Sequence, residues 1–70
     1  MSPEEAVLEV LRDADEPLHW TVIQDRALRA GYLDPFTTPD VRAAILSAVR
    51  ALVADGRVLK TATGVYGPAR

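Results

Sequence analysis

Apolar positions recur along the first part of the chain at Val7, Val10, Leu11 and Ala14, the i, i+3, i+4, i+7 spacing of one helical face, with Leu8 on its flank. This spacing predicts a helix over residues 3–14. Ser2 is a good N-cap, Pro3 suits the first helical position, and Glu5 completes a Ser-x-x-Glu capping box. Glu4 and Glu5 complement the positive end of the helix dipole, and Pro17 disfavours helical geometry at the residue before it. A second helix is expected over 21–30, opened by a Thr21-x-x-Gln24 capping box and closed at Gly31. Its stripe of Ile23, Ala27 and Ala30 is narrow, so the off-stripe Val22 and Leu28 must meet something else or stand exposed. The third helix, over 39–54, has the widest apolar face: Val41, Ala44, Ile45, Ala48, Val49 and Leu52, with Val53 at its edge. Thr38 is its expected cap, Pro39 its first residue and Asp40 its complement to the dipole. Asp55-Gly56 stops it.

Beyond that stop the period changes. Residues 57–67 are rich in β-branched and apolar types on both sides of Gly64, which suits a tight turn, and read as a hairpin. A lone two-stranded hairpin is marginal in water, and Leu18-His19 can supply a third strand. The order helix, short strand, helix, helix, strand, strand is that of a winged helix-turn-helix. The expected fold is therefore mainly α with a small β-sheet (α+β), three helices plus a β-hairpin wing, as one domain over residues 1–70. Leu11, Ile23, Ile45, Val49, Leu52 and Tyr66 should share its core. The aromatic residues of the loop from Tyr32 to Thr38 are expected to plug that core.

Composition fits a folded chain: 49% of residues are hydrophobic and 26% charged. Seventy residues leave no room for a second core, and a domain this size buries only about 60% of the surface of its unfolded chain. With no cysteine, disulfides, thiolate chemistry and Cys-type zinc sites are excluded. The start, Met1-Ser2-Pro3-Glu4-Glu5, is acidic where a signal peptide needs basic residues. The longest apolar stretch, Val41 to Ala54, is interrupted by Arg42 and Arg50 and too short for a bilayer. A cytoplasmic protein without membrane contact is expected.

The net charge of −2 argues mildly against nucleic acid, but its distribution is uneven. Residues 1–25 hold seven acids against Arg12, a net of −6, and residues 26–70 hold seven bases against three acids, a net of +4. Such a split can create one acidic and one basic face; ordinary solvated surfaces are the alternative. The outward side of the third helix carries Ala43, Ser47, Arg50 and Ala54, with Arg42 and Leu46 along one edge. It is small and polar, with arginines one and three turns in. Arg42, Ser47 and Arg50 on this helix, with Arg57 and Lys60 on the wing, are the candidate contacts to duplex DNA. The face lacks the Asn, Gln or Lys that usually read bases, so little sequence selectivity is expected.

Catalytic chemistry finds no foothold. His19 is the only histidine, and the chain has neither a Gly-x-x-x-x-Gly-Lys loop nor a Gly-x-Gly-x-x-Gly turn. Carboxylates one turn apart, such as Glu9 and Asp13, lack the desolvation that tunes a pKa. No enzyme activity, cofactor, metal or small-molecule ligand is expected. Trp20 is read as packing, with stacking on a base or partner as the alternative.

Three short motifs then carry a resemblance. Pro17-Leu18-His19-Trp20-Thr21-Val22-Ile23 resembles the Pro-Leu segment that leads into the second helix of the HARE-HTH family. Thr38-Pro39 is similar to that family's Thr-Pro signature, and Gly64-Val65-Tyr66 to the Gly-x-Tyr that closes its wing. Together they span most of the chain, from Val7 to Tyr66. The family's members are winged-helix modules in restriction-modification proteins, chromatin regulators and the delta subunit of bacterial RNA polymerase. The resemblance implies DNA binding in transcription or DNA-associated regulation. It is equally compatible with a non-catalytic module that recruits a larger DNA-processing or transcription complex through protein contacts.

Overall fold

A computed structural model describes residues 1–69. Helix α1 (Pro3–Ala14) leads to strand β1 (Leu18–His19), helix α2 (Trp20–Arg29), helix α3 (Val41–Ala54), and strands β2 (Val58–Ala62) and β3 (Val65–Pro68). The strands form one antiparallel sheet in the order β1-β3-β2. This is the expected three-helix, α+β layout with its small sheet, compatible with a winged helix.

The start of α1 is built as its sequence dictates. The Glu5 N–H donates to Ser2 Oγ at 3.2 Å while the Ser2 N–H donates to Glu5 Oε1 at 3.0 Å, with Pro3 in the first turn. Asp15 closes the helix in a left-handed conformation, φ 55°, its N–H bonded to the Leu11 carbonyl. At the end of α2 the N–H groups of Gly31 and Tyr32 reach back to the carbonyls of Leu28 and Ala27, the paired bonds of a Schellman motif.

Two caps differ from expectation. Helix α2 begins one residue early, at Trp20. His19 is its cap, its Nδ1 accepting from the Thr21 N–H at 3.3 Å and lying 2.8 Å from Thr21 Oγ1. Thr21 therefore sits inside the first turn, and Gln24 closes no capping box; its Oε1 is buried without a hydrogen-bond partner among the described residues. Helix α3 is capped not by Thr38 but by Asp40, whose carboxylate accepts from the Ala43 N–H at 3.0 Å. Pro39 thus precedes the cap, and the Thr38 N–H is already committed to the Asp34 carbonyl.

One core joins the elements: Val7, Val10 and Leu11 of α1, Leu18 of β1, Ile23 and Ala27 of α2, Ile45, Ala48, Val49 and Leu52 of α3, Val58 of β2 and Tyr66 of β3. All six residues named for the core from sequence are in it. The loop between α2 and α3 departs from expectation at Phe36, which is 94% exposed. Leu33 is the plug instead, with Tyr32 packed partly against the core. Asp34 explains the difference: its carboxylate accepts from the Phe36 N–H and its carbonyl from Thr37 and Thr38, a turn that throws the ring outward.

The sheet joins the two ends of the chain. Leu18 pairs with Tyr66 and His19 with Val65, and the Trp20 N–H donates to the Gly64 carbonyl at 2.9 Å. Gly64 turns at φ 74°, and a Cβ there would stand 2.9 Å from His19 Nε2. Only glycine satisfies both demands, the left-handed backbone and the close approach of the imidazole. Among the described residues, no helix is long and apolar enough to cross a membrane.

Candidate nucleic-acid interface

Helix geometry places the cations of α3 before any contact is considered. Arg42 and Arg50 are eight residues apart, about 12 Å along the axis and about 80° around it, so both lie on one flank of α3. The core stripe of Ile45, Ala48, Val49 and Leu52 anchors the opposite side, leaving both arginines exposed.

Each sequence-derived candidate has a distinct surrounding. The Arg42 guanidinium lies over the Trp20 ring, 5.4 Å from its centroid, and the rings of Trp20 and His19 are 5.7 Å apart. Trp20 is only half-buried; it packs against the core and supports an arginine at once. Arg50 and Lys60 come together across the α3–wing junction, where they line an open groove of about 270 Å³ with Val53 and Tyr66. Ser47 lies apart from them, in a groove between α3 and the start of α1 that includes Ser2 and Glu4. Arg57 faces a third groove, with Leu8, Glu9 and Arg12 of α1. The structure thus brings Arg50 and Lys60 to one groove, leaves Arg42 further along the same flank of α3 over Trp20, and sets Ser47 and Arg57 on other grooves.

Among the described residues, ion pairing engages only two of the cations on α1 and α2. Arg12 pairs with Glu9 and lies 3.8 Å from Asp13, and Arg29 pairs with Asp25 at 3.0 Å. Among the described residues no carboxylate pairs with Arg42, Arg50, Arg57 or Lys60. Glu9, Asp13 and Asp25 are engaged on their own helices, while the bases of α3 and the wing have no carboxylate partner among the described residues.

Sequence reasoning missed two features. Nothing in the local pattern pairs Trp20 with Arg42, because the contact joins the starts of two helices separated by the whole of α2 and its loop. Tyr66 was expected in the core and is there, but it also lines the Arg50–Lys60 groove. Among the described residues, no group of three or more His, Asp or Glu side chains is placed to hold a metal ion.

Comparison with protein-family models, curated proteins and solved structures finds no match to this chain.

Proposed function

We propose that the chain is a non-catalytic winged-helix module that binds duplex DNA through α3 and the wing, with modest affinity and little sequence preference, acting in transcription or DNA-associated regulation in the cytoplasm. The observation that carries this reading is the run of unpaired cations, Arg42, Arg50 and Lys60, along one flank of α3. Arg42 and Arg50 are separated by about the 12 Å width of a major groove. The small exposed residues between and beyond them, Ala43, Ser47 and Ala54, let the helix approach closely. Arg57 and Ser47, candidates from sequence, line other grooves and are not counted among these phosphate contacts.

The HARE-HTH resemblance supports the same reading, and β1–β3 pairing adds to it. Leu18-His19-Trp20 of the first motif lies directly against Gly64-Val65-Tyr66 of the third. Pro17 also packs under the wing, where a Cβ on Gly67 would meet its ring at 3.1 Å.

The test is a residue-by-residue NMR titration with a short duplex at low salt. Amide shifts confined to α3, the start of α2 and the wing are the expected result. Silence there overturns the reading and favours a protein-interaction module, for which Phe36 is the specific observation: a fully exposed ring on a loop stiffened by Asp34.

A further inference from the structure

The groove between α3 and the wing has a composition that phosphate contacts in general do not require. Its wall is made by Arg50, Val53, Lys60 and Tyr66, and no carboxylate lines it. Two cations that line one groove with no carboxylate of the described residues between them repel, and an anion there relieves that repulsion. Lys60 and Tyr66 are direct partners in the β2–β3 register, so both side chains rise from the same side of the sheet, the side that packs on the helices. Tyr66 is only 9% exposed, yet its hydroxyl makes no hydrogen bond to any described residue. Tyrosine hydroxyls at buried sites usually find a partner. Tyr66 lines the groove itself and so meets what enters it.

We infer that this groove is a discrete phosphate seat, in which Arg50 and Lys60 supply charge-assisted hydrogen bonds and the Tyr66 hydroxyl supplies a third, neutral donor. For the source of the phosphate it rests on the reading above: a backbone phosphate of duplex DNA. The seat fixes the wing to one point on the backbone, and α3 is then oriented by a second contact at Arg42. Tyr66 thereby joins the core to the interface.

The test uses the full chain and two probes, inorganic phosphate at constant ionic strength and a short duplex, with Tyr66→Phe, Lys60→Gln and Arg42→Gln as variants. Inorganic phosphate is expected to shift the amides of Arg50, Lys60 and Tyr66 saturably, an effect lost in Lys60→Gln and kept in Arg42→Gln. Tyr66→Phe keeps the buried ring and the melting temperature. It should weaken duplex binding about 3- to 10-fold with an unchanged salt slope, because no charge is removed. If Tyr66→Phe binds the duplex as the parent does and phosphate shifts none of the three amides, the seat is overturned while DNA binding stands. If phosphate binds there but the parent ignores duplex at low salt, the DNA reading falls and the seat serves a free phosphorylated ligand.

Discussion

The Arg42 guanidinium lies 5.4 Å from the centroid of the Trp20 ring, tying the first turn of α3 to the first turn of α2. A cation over an indole face at a partly exposed site contributes about 0.5–1 kcal/mol. A double-mutant cycle of Arg42→Gln and Trp20→Leu, read by urea unfolding, should therefore show a coupling of about that size. Strict additivity of the two changes would mean that Trp20 does not hold Arg42.

Ile45 is fully buried in the first half of α3, within the core cluster. Replacing it with alanine removes three methyl(ene) groups from a core that cannot collapse around the gap. Ile45→Ala should cost about 2–5 kcal/mol, enough to leave so small a domain largely unfolded. A melting temperature within a degree or two of the parent would contradict the observed packing.

The start of α3 offers a sharper comparison. Asp40 accepts from the Ala43 N–H, whereas the Thr38 side chain makes no hydrogen bond to any described residue. Asp40→Ala should cost about 0.5–2 kcal/mol and Thr38→Ala less than about 0.5 kcal/mol, measured by thermal unfolding. The reverse ranking would return the cap to Thr38.

These positions show where the sequence was legible. The pattern gave all three helices, the hairpin and the core, because apolar spacing and the Ser2–Glu5 box are local signals. It misplaced the cap of α3 because two good capping residues, Thr38 and Asp40, stand close together, and that of α2 because the cap is His19, a type with no strong capping preference. At α2 the wing decides: the Trp20 N–H is bound by Gly64, which draws the helix start back to His19. Phe36 was misjudged for a similar reason, since a single hydrogen-bonding aspartate, Asp34, outweighs the pull of the ring toward the core. The candidate cations were legible as exposed positions. Their grouping was not, because Arg50 and Lys60 come to one groove only through the packing of β2 on α3.

The Ser2–Glu5 box also makes a pH prediction. The backbone N–H of Ser2, then its side chain, hydrogen-bonds to the Glu5 carboxyl and holds it below the ordinary value of 4.5. A depressed folded-state value means stabilisation that is present above 4.5 and is lost as pH falls from there through the lower folded value. Glu5→Gln can still reach the Ser2 N–H but cannot titrate. The gap in melting temperature between parent and variant should close on acidification below 4.5. A gap that stays constant would show that the box contributes nothing through charge.

Salt dependence of DNA binding tests the grouping of the cations. Four phosphate contacts, from Arg42, Arg50, Arg57 and Lys60, would give a slope of log affinity against log salt of about −3.6. The structure sets Arg57 in a separate groove beside Glu9 and Arg12. Three contacts on one flank lower the expected slope to about −2.7. Arg57→Gln should then leave both affinity and slope unchanged, while Arg50→Gln reduces the slope by about 0.9. Affinity should be about 10⁻⁴ to 10⁻⁶ M and nearly indifferent to sequence, since Ala43, Ser47 and Ala54 offer almost nothing to base edges. Replacing Arg50 and Lys60 together by Glu should abolish binding while the chain stays folded, because both side chains are exposed. A slope near −3.6 that falls on Arg57→Gln would bring Arg57 onto the DNA face. Binding that survives the double change would move the interface off this flank of α3 altogether.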